Sequence, residues 1–393
     1  MQKNLIAFAV LAITQVISWG AVGILPVLAS SIAGDLGIAL PTVFFGASTM
    51  FVTMGLAAPA AGRAFRRYGA RRVMAAGAAL VACGLTLIAA SVTTLMFLAA
   101  WVIMGAAGAM LLTTGAYIYL SDFAEEQARS LIGTLMLVTG LSSALFFPVT
   151  AFLASTIGWR GAVLTYAGVM LLVVAPLVFG GLPETATAPK AAEPNPAPSS
   201  KGSSVFWLIV VAVALNSFVT FGSEAICVEL FRAFDMSMTQ AVGLAALVGV
   251  FRVGGRVIDV LGGRRWDGLS TAQISGAMIP LGLLLLCIGR AELWSIGGYL
   301  LLFGAGSGAF AVARATMPLV FYRKADYAAA MSSIALPLNL TNALAPPALA
   351  ALLTTLGPSA VLGLLAALSC AAFLLIVQLG RLREPAAVTQ AER

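Results

Sequence analysis

No histidine occurs anywhere in the chain, which removes the side chain that titrates unaided near neutral pH and the commonest metal ligand. Charge is scarce too: charged residues make up 9% of the sequence, against about a quarter in soluble proteins. Four cysteines, Cys83, Cys227, Cys287 and Cys370, sit singly inside apolar runs with no paired or metal-like spacing, and read as small buried hydrophobes without a disulfide. The chain has no His-x-Glu metal spacing, no phosphate-binding glycine loop and no Gly-x-Ser-x-Gly elbow, and without histidine a nucleophile relay is hard to build. These absences argue against an enzyme, a metal site and a bound cofactor.

What fills the sequence instead is apolar. Hydrophobic residues account for 61% of 393 positions and the mean hydropathy is +1.01. A crossing of about 30 Å of hydrocarbon takes roughly 20 apolar residues. Six such runs precede residue 183: Leu5 to Ser30, Thr42 to Ala61, Val73 to Ala90, Leu95 to Leu120, Leu131 to Ile157 and Gly161 to Leu182. Six more follow residue 204: Val205 to Leu230, Gln240 to Leu261, Ser270 to Gly289, Leu293 to Leu319, Ala328 to Leu356 and Ser359 to Leu379. Unpaired backbone amides are costly in lipid and the runs lack strand alternation, so each is expected to be a helix and the fold class all-α. Residues 183–204, rich in Pro, Ala and Ser, read as a linker. The expected domains are 1–182, a six-helix bundle, and 205–393, a second bundle with a short tail.

The first run begins after Lys3 and ends in small residues, as a signal peptide does, but it is too long for one and contains Gln15 and Trp19. Basic residues gather at the two ends of the chain, in the linker and after even-numbered spans, with only Arg160, Arg232 and Arg290 on the other side. The positive-inside rule then puts both termini and the linker in the cytoplasm. The net charge of +7 reports that topology and gives no reason to invoke nucleic acid.

An internal repeat carries the identification. The loop after span two reads Gly62-Arg63-x-x-Arg66-x-x-Gly69-x-Arg71-Arg72, and the loop after span eight reads Gly255-Arg256-x-x-Asp259-x-x-Gly262-x-Arg264-Arg265. Identical spacing at the same place in two halves is what a duplication leaves. Weaker echoes link Gln15-Val-Ile-Ser18-Trp19-Gly20 to Ser217-Phe-Val-Thr220-Phe221-Gly222, and Gly105-x-x-Gly108 to Gly304-x-Gly306-x-Gly308. Small residues of this kind allow close helix packing in lipid.

The basic loop and the six-plus-six layout resemble the major facilitator superfamily, as does Gly158-Trp159-Arg160 before span six. The Gln15-to-Gly20 opening and the loop ending at Arg265 are similar to a bacterial subgroup of that superfamily. The resemblance implies a monomeric secondary active transporter that works by alternating access, with the basic loops as cytoplasmic gate elements. It also implies that an acid in each loop pairs with nearby arginines. Asp259 matches that acid, whereas the first-half position holds Arg66, which reverses the charge. The competing reading makes these arginines topology anchors only. Two further departures leave direction unassigned: Trp101 stands where an arginine is common four residues before the span-four glycine, and span five carries Gly140-to-Pro148 in place of the exporters' Gly-Pro motif.

Three charged residues fall inside spans: Glu224, Arg252 and Arg314. A charge at the bilayer centre costs roughly 2.5 to 3.5 kcal/mol on the mildest scale, so each needs a partner or a wet cavity. Two cations against one acid favour an anion, and arginine grips a carboxylate through two parallel hydrogen bonds. The expected substrate is therefore an organic carboxylate held by Arg252 and Arg314, with Gln15, Trp19, Asn216, Asn339 and Asn342 as further contacts. Asn339 and Asn342 precede Pro346-Pro347, where a broken or kinked helix would free carbonyls for a ligand, the alternative being a kink that the helix merely tolerates. If transport is coupled to a proton, Glu224 is the carboxyl expected to carry it. Arg252 and Arg314 instead satisfied by Glu224, asparagines or carbonyls is the structural alternative. The rival functions are an exporter of lipophilic compounds and a substrate-sensing receptor, the latter disfavoured by the short tails.

Overall fold

The computed structural model describes residues 2–124, 128–184, 204–262, 267–289, 292–321 and 324–382. Among them every element is a helix: α1 Gln2–Val22, α2 Leu25–Leu36, α3 Leu40–Tyr68, α4 Ala70–Ala90, α5 Thr94–Leu111, α6 Thr113–Ala124, α7 Ala128–Thr139, α8 Ser142–Val169 and α9 Ala175–Gly181 before the linker. After it come α10 Ser204–Arg232, α11 Met238–Gly262, α12 Gly268–Ile288, α13 Leu293–Tyr299, α14 Ala305–Thr316, α15 Pro318–Phe321 and α16 Lys324–Arg381. Single π-helical turns, Met170–Val174 and Leu300–Gly304, join α8 to α9 and α13 to α14. The described residues hold 10 runs long and apolar enough to cross a membrane.

Two of those runs, Leu131–Gly181 with 51 residues and Pro337–Arg381 with 45, are more than twice the length that one crossing needs. Each is divided by one glycine. Gly158 has φ 73° and ψ 167°, and Gly357 has φ 79° and ψ −179°, a region that side chains with a Cβ all but never enter. The two glycines fall at the span boundaries that hydropathy predicts, Ile157 to Gly161 and Leu356 to Ser359. A third, Gly69 at φ 80°, makes the turn from α3 to α4 inside the basic loop.

The expected break at Pro346-Pro347 does not occur. The non-helical dihedrals within α16 are at Gly357, and the helix runs through both prolines. Proline's fixed φ near −65° is compatible with a helix and removes only its own amide donor, whereas a positive φ reverses the chain direction. Breaks appear instead where the sequence reading expected continuous spans. Span one divides at Gly23–Ile24, with Pro26 in the first turn of α2, and span five divides at Gly140–Leu141. Span four divides at Leu112, whose ψ of −151° leaves the helical range.

The chain forms two compact units. The first takes the described residues of Met1–Ala191, Phe221–Val253 and Asn342–Val361. The second takes those of Ala192–Thr220, Gly254–Thr341 and Leu362–Arg393. In the first unit the core is apolar and aromatic, with Phe44, Phe97, Trp101 and Tyr119 wholly buried. Segments from both sides of the linker pack there: Phe51 and Phe221 meet edge to face at 5.0 Å, and the Ser30 hydroxyl donates to Glu229. The second unit has Tyr299 stacked on Phe303 at 4.8 Å in its core.

The sequence echoes correspond to equal packing. A Cβ placed on Gly20 of α1 would lie 2.1 Å from the Phe146 ring of α8, and one on Gly222 of α10 would lie 2.5 Å from Leu349 of α16. Within the second unit, a Cβ on Gly255 of α11 would lie 2.0 Å from the Ala305 carbonyl of α14. In a hydrocarbon solvent helices gain little by hiding apolar surface from one another, so such close approach is what lets dispersion hold them.

Candidate functional site

Within the second unit, α10 and α14 bound a small pocket lined by Val213, Asn216, Ser217, Thr220, Ser307, Phe310, Ala311 and Arg314. The spacing puts each set on one helical face, since residues three, four and seven apart stack along a helix. Gly306 near the head of α14 lets it approach α12, where a Cβ on Gly306 would meet Met278 at 3.0 Å. That packing fixes the face on which Ser307 and Arg314 lie.

Asn216 is 2% exposed, and its backbone carbonyl accepts from the Thr220 hydroxyl at 2.9 Å. Ser307 donates its hydroxyl proton to the Gly304 carbonyl at 2.9 Å. Arg314 supplies a guanidinium that is half-buried. Sequence reasoning named Asn216 and Arg314, and the structure brings them to one pocket; Ser307, Phe310 and Thr220 were missed as its walls. The signal that would have found them is the shared helical face.

Glu224 and Arg252 meet in the first unit, where α10 and α11 place the carboxylate 2.5 Å from the guanidinium. The Arg252 side chain is 9% exposed and that of Glu224 30%. Each thus finds the opposite charge that its place in an apolar run demands. Arg252 therefore belongs to an ion pair in one unit, and Arg314 to the pocket in the other.

Gln15 is 1% exposed and its Nε2 donates to the Leu111 carbonyl at 2.8 Å. This amide replaces a donor lost where span four breaks at Leu112, and so repairs the helix ladder in an apolar setting. Trp19 is half-buried on α1, and Asn339 and Asn342 are half-buried on α16 with Asn339 in the second unit and Asn342 in the first.

In the basic loops, Arg71 and Arg72 both reach the Glu184 carboxylate, at 2.8 and 3.0 Å, and Arg71 also lies over the Phe179 ring at 5.3 Å. Glu184 stands after α9, far along the chain from the loop, so the motif did not reveal this partner of Arg71 and Arg72. Arg63 and Arg66 are exposed, as are Arg67 and Tyr68 beside them. In the second half Gly255 is buried against α14 and Arg256 is half-buried. The backbones of Asp259 and Gly262 continue α11, but the Asp259 side chain, Arg264 and Arg265 lie outside the described residues.

The Gly158-Trp159-Arg160 element forms a clamp. Arg160 pairs with Asp35 at the end of α2, and donates from Nε to the Ala89 carbonyl and from Nη2 to the Ser91 carbonyl, both at 2.9 Å. Trp159 adds an Nε1–H donated to Asp35 at 3.2 Å. Two of these acceptors are end-of-helix carbonyls of α4, where a cation is favoured by the helix dipole.

Apolar helices long enough to cross a membrane, a polar pocket between two of them and paired charges in the spans are features of an integral membrane transporter. The Major Facilitator Superfamily profile matches residues 11–271, and the chain belongs to that family. Its fold is similar to that of the human organic anion transporter MFSD10 (TETRAN), with a TM-score of 0.65 at 19% identity over 94% of this chain and 99% of that one. It is also similar to a bacterial homolog of the human lysosomal transporter Spinster, determined in inward-facing conformation. The occupied form gives a TM-score of 0.68 at 14% identity, covering 97% of this chain and 96% of that one. The unoccupied form gives 0.71 at 14%, covering 96% and 95%. No curated protein matches the chain by sequence.

Proposed function

We propose that this transporter moves a small organic anion, a carboxylate, across a bacterial inner membrane, and binds it in the pocket between α10 and α14. The observation that carries this reading is that the buried Asn216 and the cationic Arg314 line one pocket. A carboxylate supplies acceptors to both groups, and the guanidinium fork matches its geometry. Phe310, Val213 and Ala311 suit a short apolar body beside the charged head. The fold shared with a human organic anion transporter is in keeping with this.

In this reading the two six-helix halves, 1–182 and 205–393, rock about the substrate, with twelve spans and both termini in the cytoplasm. The chain works as a monomer among lipid, and the basic loops gate its cytoplasmic side through Glu184 in the first half and Asp259 in the second. Glu224 carries a coupled proton, its release and capture governed by the partnership with Arg252. Arg252 thus serves coupling, and Arg314 the substrate.

Ligand-induced thermal stabilisation of the purified protein tests the reading, because binding to the folded state raises melting by mass action. Carboxylates are expected to stabilise the wild type, and Arg314→Gln and Asn216→Leu to lose that response while still melting cooperatively. Stabilisation only by neutral or cationic lipophiles would sink the carboxylate reading and favour an exporter of such compounds.

A further inference from the structure

We propose that the ends of α2 and α10 form the gate on the outer face of the transporter, opposite the basic loops, and that Ser30, Glu229 and Arg232 latch it shut; this rests on the alternating-access reading above. Ser30 precedes the linker and Glu229 and Arg232 follow it, so their contact joins the two halves that must part there. The Ser30 hydroxyl donates its proton to the Glu229 carboxylate and accepts from the Arg232 guanidinium at 3.0 Å. One small side chain thus bridges both charges, and each bond has an ionised partner, the stronger class of hydrogen bond. Glu229 is 8% exposed, so water competes little for its oxygens.

This triangle is suited to opening as well as closing. Arg232 also lies 3.5 Å from Glu229, one turn away on the same helix. When Ser30 withdraws, the carboxylate keeps its counter-ion, and the open gate strands no buried charge. The clamp of Asp35 and Arg160, by contrast, ties first-half helices to one another and does not cross the linker. In the second half Gly357-Pro358-Ser359 stands where the first has Gly158-Trp159-Arg160, with the same positive φ but neither the indole nor the guanidinium. The first half therefore offers a braced edge, and α10 reaches across to it.

The same face of α10 continues the seal. Phe221 stands eight residues nearer the middle of α10 than Glu229, about 12 Å along the axis, and meets Phe51 of α3 edge to face at 5.0 Å. Beside them the Ser48 hydroxyl of α3 donates to the Ala343 carbonyl of α16. Gly249 of α11 packs so closely on α8 that a Cβ there would lie 2.9 Å from the Ser143 Oγ. Each of these contacts also crosses the linker, and the latch is the charged one among them.

The experiment is a distance measurement across the latch by double electron resonance in lipid vesicles. Spin labels on Ser31→Cys and Ala233→Cys, both exposed beside it, report the separation of α2 from α10 in a version of the chain whose four native cysteines are replaced. Two distances are expected, short for the shut gate and long for the open one. Ser30→Ala and Glu229→Gln are each expected to raise the ratio of long to short about tenfold, the worth of one charge-assisted hydrogen bond. Asp35→Asn, which loosens the clamp alone, should lower the melting temperature and leave the ratio unchanged. Two distances whose ratio is unmoved in both latch variants overturn the latch and leave alternating access standing. An equal rise in Asp35→Asn also overturns it, since general loosening of the outer edge then accounts for the change. A single distance in every protein, at acidic and neutral pH alike, takes down the latch and the alternating-access reading together.

Discussion

The Glu224 carboxylate lies 2.5 Å from the Arg252 guanidinium, so that two charges placed in apolar runs by the sequence answer each other across α10 and α11. Burial makes the two halves of this pair unequal. Arg252 is nearly enclosed while Glu224 keeps 30% of its side chain exposed, so Glu224 is the member that a proton can reach.

Removing one member of such a pair leaves a charge in a poor environment, which costs about 3–5 kcal/mol when both are fully buried and less where one is part-exposed. Glu224→Gln and Arg252→Gln are each expected to lower the melting temperature, and the double variant to recover part of the loss. The coupling measured by the four proteins should be about 1–3 kcal/mol. If Glu224 also carries the proton, Glu224→Gln abolishes pH-driven accumulation in vesicles while substrate binding persists. Intact pH-driven accumulation in that variant would remove Glu224 from the coupling mechanism.

A methyl group at Gly20 has no room, because the rigid, half-buried Phe146 ring lies directly over it in the first unit. Gly20→Ala should destabilise by about 1–3 kcal/mol, the usual cost of overpacking. Gly222→Ala should cost less, since the nearest atom is the far end of the Leu349 side chain, which can rotate away. Combining Gly20→Ala with Phe146→Leu should cost less than the sum of the two. Thermal unfolding of the four proteins measures this, and strict additivity would mean that the contact does not limit stability.

Arg160 holds three acceptors from two other helices, and a guanidinium fork is suited to that where an ammonium is not. Arg160→Lys is expected to lose about 1–2 kcal/mol, the lower range for charge-assisted bonds at a part-exposed site. Gly158→Ala should act on the same clamp through the backbone, by about 1–3 kcal/mol, since φ 73° with ψ 167° admits glycine and little else. Chemical or thermal denaturation in detergent gives both values, and a neutral Arg160→Lys would show that the clamp's carbonyl contacts contribute nothing.

Much of the architecture was legible from composition. Once hydropathy requires a residue to sit in lipid, the backbone must bond internally, and so all-α structure follows from one-dimensional information. Span limits at Ile157 and Leu356 were readable for the same reason, and the structure puts its positive-φ glycines in those gaps. The repeat was readable because close helix approach demands small residues: Gly20 and Gly222 recur in sequence and recur as contacts.

Partnership was not legible. Arg252 and Arg314 look alike in sequence, each a cation within a span, yet Arg252 meets Glu224 and Arg314 lines a pocket with Asn216. Nor could the motif show that Glu184 receives Arg71 and Arg72, or that Gln15 is spent on the Leu111 carbonyl. Hydropathy acts on each residue alone against a uniform solvent, so the sequence by itself determined what enters the membrane, as helix, and where the chain turns. Charge pairing and hydrogen bonding act over a few ångströms between residues far apart in the chain. Only the tertiary structure therefore decided which buried polar groups satisfy one another and which, like Asn216, line a pocket.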